Sequence, residues 1–191
     1  MKIECSIEKI KNGIAQTERI TGKNLTLPVL NSILMVASGK SLKLRSTNLS
    51  LGIEVEIPAK IEEEGVLAVP GSVLNGIFSN ISQNENVFLE SENENLLIKT
   101  KKSRTIIKCV SPDDFPTIPG VSGTDFEIEA KKLTEGIKMV YYSSSVSNIK
   151  PEISSVFIYS TPDNLVFVST DSFRLAEKKI KMRGCVMNLK P

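Results

Sequence analysis

The chain alternates apolar and polar residues over many short runs. IEVEI (53–57) does so strictly, which puts Glu54 and Glu56 on the face opposite Ile53, Val55 and Ile57. LKL (42–44) alternates ahead of a turn at Thr47-Asn48. NVFLE (86–90), NLLIKT (95–100) and SRTIIKCV (103–110) predict a meander, broken at 92–94 and at Lys101-Lys102. Two segments change period. Ile7, Ile10 and Ile14 predict a helix over 7–20. Val73, Leu74, Ile77, Phe78 and Ile81 predict another over 71–81, with Pro70-Gly71-Ser72 as its start signal. The predicted order is strand–helix–strands, twice, ending near residue 110. SPDDFPTIPGVSGT (111–124) reads as an interdomain linker.

The pattern then recurs at an offset of 123 residues without a gap. LPVLNSILMVASGKSLKLRSTN (27–48) lies over KPEISSVFIYSTPDNLVFVSTD (150–171). Pro28 matches Pro151, Ser32 matches Ser155, Leu42 matches Leu165, and Ser46-Thr47 match Ser169-Thr170. Upstream, Gly13-Ile14 match Gly136-Ile137. Residues 1–122 then form one complete domain, and 123–191 form the first half of a second. Half of a two-layer domain cannot bury its apolar face alone, so the chain is expected to be a piece of a longer protein.

Composition narrows the function. No apolar run is long enough to span a membrane, and MKIECSIEKIKNG lacks the apolar stretch of a signal peptide, so a cytoplasmic protein is expected. Cys5, Cys109 and Cys185 are widely spaced and form no CxxC, which argues for free thiols over disulfides or zinc. The absence of histidine removes Ser-His-Asp and Cys-His arrangements, and no phosphate-loop or dinucleotide glycine motif is present. These features argue against an enzyme, and no cofactor is expected. Asp113-Asp114 could be read as a metal-binding pair, but adjacent carboxylates point apart in most loops and no third ligand is evident.

Charge is segregated although the net is only +2. Residues 1–50 carry eight Lys and Arg against three Glu, while residues 51–98 carry Lys60 against nine Glu. On the first helix, Lys9, Asn12, Gln16, Arg19 and, beyond its end, Lys23 follow one stripe that contains no acid. Such a stripe suits sequence-independent phosphate contact; a merely solvated helix face accounts for it equally. In the second copy Lys9, Asn12 and Arg19 map to Lys132, Glu135 and Tyr142, so the stripe is poorly kept.

Six segments, in order, resemble the bacterial sliding clamp, the beta subunit of DNA polymerase III. They are TLPVLNSILM (26–35), STNLSLGIEVEI (46–57), VPGSVLNGI (69–77), SPDDFPTIP (111–119), KPEISSV (150–156) and STDSFRL (169–175). The resemblance implies an α+β DNA-clamp fold of repeated strand–helix–strands units, with antiparallel sheets outside and helices lining a central hole. It implies a non-catalytic processivity factor that encircles double-stranded DNA as a homodimer ring. Polymerases and the clamp loader would be tethered through short linear motifs. A clamp-fold interaction scaffold without a DNA role is the alternative.

The resemblance also carries residues. DNA-facing positions fall on Lys23 and Asn24 after the first helix, on Ser72 at the second helix start, and on Ser147 and Lys150, beside Lys9 and Arg19 from the stripe. The partner pocket falls on Lys150, Ile153, Thr170, Ser172, Phe173, Arg174 and Leu175. Ile153 and Leu175 would line an apolar slot, and Arg174 would present its donors or stack. The ring interface falls on an edge that includes Lys102, Arg104 and Ile107. Lacking the family's third domain, this chain is expected not to close a ring.

Overall fold

The computed structural model describes residues 1–22, 27–81, 86–120, 127–147 and 150–182. The chain divides into two compact units, 1–119 and 120–191.

Unit 1 runs β1 (Lys2–Ser6), α1 (Ile7–Glu18), β2 (Ser32–Ser38), β3 (Ser41–Thr47) and β4 (Gly52–Glu63). It then repeats the plan with β5 (Gly65–Pro70), α2 (Gly71–Ser79), β6 (Asn86–Glu92), β7 (Asn95–Lys99) and β8 (Arg104–Ile107). The strands form an antiparallel sheet in the order β5-β2-β3-β4-β1-β6-β7-β8. β1 pairs with β6, and β5 pairs with β2, so each half lends its first strand to the other. A further bridge, Ala68 to Val110, joins β5 to the chain just past β8.

Both helices feed one core. Ile7, Ile10 and Ile14 of α1 and Leu74 and Phe78 of α2 are completely buried against Ile33, Met35, Leu44 and Leu89 of the sheet. Each such side chain contributes about 1.5–3 kcal/mol by leaving water. α1 can sit this close because of Gly13: a Cβ there would lie 2.8 Å from Ile57 Cδ1 and 3.0 Å from Leu44 Cδ1. Both helices are shorter than the predicted spans. α1 tightens at its end into three-residue bonds, Ile20 N–H to the Thr17 carbonyl and Thr21 N–H to the Glu18 carbonyl, each at 3.1 Å. α2 stops where Asn80 turns its side-chain amide back to the Gly76 carbonyl at 2.9 Å.

β4 is longer than the predicted 53–57. Gly52–Pro58 pairs with β3, and Ala59–Glu63 then pairs with β1. Pro58, which lacks an N–H, sits where the strand changes partner, a place at which a sheet tolerates it.

The predicted linker also begins too early. Val110 N–H donates to the Ala68 carbonyl at 3.0 Å. Phe115 then packs with Val29, Leu34, Val36 and Ala68, and Ile118 lies over Gly52. Residues 110–118 are therefore a strap across unit 1, opposite the helices. They bury apolar groups that a free linker would leave in water.

Unit 2 contains α3 (Ala130–Val140) and a three-stranded antiparallel sheet of β9 (Phe157–Ser160), β10 (Asn164–Thr170) and β11 (Leu175–Lys181), in the order β11-β10-β9. Its core is small: Val140, Leu165, Phe167 and Ala176, with several half-buried apolar neighbours. Phe167 takes the place of Leu44 under α3, with its ring against Gly136 in the place of Gly13.

Candidate nucleic-acid and partner surfaces

α1 presents Lys9, Asn12, Gln16 and Arg19 to solvent, because its Ile7–Ile10–Ile14 stripe faces the core. Among the described residues neither Lys9 nor Arg19 is in an ion pair. Lys11, one position off the stripe, instead donates to the Ser79 carbonyl at 3.0 Å, at the end of α2. Ser72 is exposed on the first turn of α2, whose segment GSVLNGIFS is uncharged. Lys23 and Asn24, the loop positions, lie outside the described residues, as does Cys185.

α3 differs in kind. Lys132 pairs with Glu129 and Glu135 pairs with Lys178, both at 3.2 Å. The next two positions of the stripe, Met139 and Tyr142, are exposed and uncharged. The face is internally neutralised where that of α1 is not.

The STDSFRL segment is an ordered turn between β10 and β11. Thr170 Oγ1 donates to the Arg174 carbonyl at 2.7 Å and accepts the Ser172 N–H at 3.1 Å. Asp171 Oδ1 accepts the N–H groups of Phe173 and Arg174 at 3.0 and 2.9 Å. Ser172 takes a positive φ of 78°. These bonds push the Phe173 ring entirely out, to 98% exposure, with Leu175 exposed beside it at the start of β11. Arg174 is not a free donor group: its Nε is held by Asp171 Oδ2 at 2.9 Å. The backbone amides of Arg174 and Phe173, and then the guanidinium, hold the Asp171 carboxyl below its ordinary pKa.

Asp171 is the residue that sequence reasoning left out of the site. Its signal is local, since an Asp whose carboxylate meets amides two and three residues on builds a turn of this kind. Lys150 and Ser147 are exposed. Ile153 is half-buried, and its carbonyl accepts the Ser145 N–H at 2.9 Å.

The first repeat carries the same turn, bond for bond. Thr47 Oγ1 donates to the Leu51 carbonyl at 3.0 Å and accepts the Leu49 N–H at 3.0 Å. Asn48 Oδ1 accepts from Ser50 and Leu51 at 3.1 and 2.8 Å, and Leu49 has φ 75°.

The region read as a ring interface lies on β8 and the turn before it. β8 is the last strand of the sheet and, among the described residues, pairs only with β7. Lys102 and Arg104 are exposed, and Arg104 is paired with Glu92 at 3.2 Å. Ile107 corrects the sequence reading: it is 3% exposed and belongs to the core of unit 1. Its neighbour Ile106, at 56%, is the apolar side chain that β8 shows to solvent. The strand's alternation puts the two on opposite faces.

The family profile described as DNA polymerase III beta subunit, N-terminal domain, matches residues 1–119. The chain belongs to that family. A beta sliding clamp of Synechococcus elongatus is 28% identical over 182 residues, covering 94% of this chain and 48% of the relative. One from Staphylococcus epidermidis is 25% identical over 180 residues, covering 90% and 48%. Among solved structures, Caulobacter crescentus pol III beta superposes with a TM-score of 0.88 at 21% identity, over 97% of this chain and 52% of that one. The DNA polymerase III beta subunit of Thermotoga maritima does so at 0.86 and 24%, over 97% and 51%. The chain therefore spans about half the length of the clamps it matches, and its fold is the α+β clamp fold. Among the described residues no helix is long and apolar enough to cross a membrane, and no group of three or more acidic, Cys or His side chains gathers as a metal site.

Proposed function

We propose that this chain carries out the DNA-side half of a clamp's work: it lies along duplex DNA and tethers replicative and repair polymerases, without covalent chemistry. The observation that carries the reading is the acid-free stripe Lys9–Asn12–Gln16–Arg19 on α1, exposed and free of ion pairs among the described residues, in a domain of the clamp family. Such groups hold phosphate loosely and without base readout, which permits sliding. Lys23, Asn24, Ser72, Ser147 and Lys150 are proposed further contacts. The partner pocket comprises Lys150, Ile153, Thr170, Ser172, Phe173, Arg174 and Leu175. In it Phe173 and Leu175 offer apolar surface to a linear motif, and Asp171 holds the turn that displays them. Lys102, Arg104 and the edge of β8 serve a homodimer ring in a protein with the remaining repeats. A cytoplasmic location fits this task.

The test is anisotropy of a labelled DNA duplex with the 191-residue chain, as a function of salt. Replacing Lys9 and Arg19 with Ala should weaken binding and flatten the dependence of log K on log salt by about 0.9 for each phosphate no longer neutralised. Unchanged affinity and slope would leave the scaffold reading, in which the fold serves proteins alone.

A further inference from the structure

The sheet of unit 1 runs from β5 at one edge to β8 at the other. The chain just past β8 then returns to β5, where Val110 N–H donates to the Ala68 carbonyl at 3.0 Å. Among the described residues this isolated bridge is the one β-bridge across the seam. Beside it lies a cavity of about 360 Å³, within the size range of small-molecule sites. Three segments far apart in sequence line it: the start of β5, the turn between β6 and β7, and the chain from Cys109 to Asp113. All belong to unit 1.

The lining is mixed, and its charge has one sign. Leu67, Val110 and Pro112 give an apolar wall. The charged members are Glu94 and Asp113, and no Lys or Arg borders the cavity. Among the described residues neither carboxylate is in an ion pair. Each is placed by its own turn. Asn93 and Glu94 take positive φ of 49° and 63° in the tight connection of β6 to β7. Ser111 Oγ donates to Asp113 Oδ2 at 2.8 Å. Asp114 takes no part in the lining, so the Asp113-Asp114 pair does not converge there, and no metal cluster forms among the described residues. The Cys109 thiol is half-buried on the same lining. A cleft with apolar walls and charge of one sign concentrates the opposite ion. Here it favours a ligand that is cationic at its ends and apolar between them, and it repels an anion.

We propose that the seam cavity of unit 1 binds a small organic cation, an alkylamine or alkylguanidine. Its chain lies on Leu67, Val110 and Pro112, and its charged groups meet Glu94 and Asp113. Such a ligand joins the β6–β7 turn to the strap and so fastens the seam that the Ala68–Val110 bridge closes. A ligand held only by the closed seam stabilises that state by mass action. The proposal is independent of whether the chain binds DNA.

The probe is agmatine, which carries an amine and a guanidinium on a short alkyl chain; glutarate, a dianion of similar length, is the control. On the 191-residue chain, agmatine should give saturable amide shifts at Glu94, Val110 and Asp113 with a Kd at or below about 1 mM. It should also slow hydrogen exchange at the Val110 amide and slow iodoacetamide labelling of Cys109. Glutarate should do none of this. Glu94→Gln combined with Asp113→Asn, both at exposed side chains, should weaken agmatine binding about five- to tenfold. Glu56→Gln, an exposed carboxylate elsewhere on the sheet, should leave it unchanged. Absence of a saturable agmatine shift would overturn the proposal, as would equal shifts from glutarate or binding that survives the paired substitution. So would equal weakening by Glu56→Gln, which would mark a general attraction to acidic surface.

Discussion

Ser46 Oγ donates a buried hydrogen bond of 2.6 Å to the carbonyl of Thr17, and Ser169 makes the same bond to the carbonyl of Val140. In each repeat a serine at the end of the central strand ties down the last turn of the helix, at the same offset. A helix end leaves its carbonyls short of intrahelical donors; the Thr17 carbonyl takes the Ile20 N–H, and the sheet supplies a second donor from beneath. Ser46→Ala removes the donor and leaves that carbonyl less satisfied. The expected cost is about 1–2 kcal/mol, read as a lower urea midpoint at unchanged slope. Ser169→Ala should act on unit 2 alone, seen as faster exchange in α3 and unchanged exchange in α1.

Leu49 is strained. Its φ of 75° is a conformation that L-residues with a Cβ occupy at a cost of about 1–2 kcal/mol. Its side chain is also 59% exposed and so gains little from packing. Leu49→Gly is expected to raise stability by up to about 1 kcal/mol, part of the relief being offset by the freer unfolded chain. A thermal melt decides it, and a fall in midpoint would contradict the strain. Ser172→Gly should act likewise on the turn of unit 2.

The Asp171 carboxyl is held below its usual pKa, first by the amides of Arg174 and Phe173. A lowered folded-state pKa means that the contribution is whole at neutral pH and is lost as pH falls through that value. The turn displaying Phe173 should therefore loosen only in acid below the usual carboxylate range. The Phe173 and Arg174 amide resonances should shift together there, and Asp171→Ala should show the loosened state at neutral pH. Amide shifts that move in the ordinary Asp range would remove this account.

Cys5 is buried between β4 and β6, and burial pushes its thiol up to about 12. The thiolate is the reactive form. Iodoacetamide near pH 8 should leave Cys5 unmodified in the folded chain and label it in denaturant, as peptide mass spectrometry would show. Cys109, half-buried and raised in the same direction, should react faster than Cys5 but slower than a free thiol.

The repeat was legible in the sequence because its chemistry is local. Thr47-Asn48 and Thr170-Asp171 carry the hydroxyl and carbonyl oxygens that build the turn, and Gly13 and Gly136 mark the close approach of helix to sheet. What was hidden depended on partners distant in the chain. RTII offers two adjacent isoleucines, and only the pairing of Ile107 with Leu96 decides which faces inward. Pro58 and the three glutamates at 62–64 look like a strand end, yet β4 continues to Glu63 because β1 waits beside it. Phe115 and Ile118 sit in a Pro-rich stretch whose composition reads as linker, while their side chains belong to the sheet. In the candidate pocket the exposed Phe173 was readable. The tie between Arg174 and Asp171 was not, since a charged pair three residues apart closes only once the turn has formed.

The partner change at Pro58 has a thermodynamic consequence. β4 is one continuous strand held by β3 over its first half and by β1 over its second. The two halves of unit 1 are thus splinted by a shared backbone and cannot open separately without tearing a strand along its length. Unit 1 should melt as a single cooperative block. In unit 2 the counterpart strand, β11, is paired only with β10 among the described residues. Heat should therefore release unit 2 first, in a separate and shallower transition, while the splinted block stays folded.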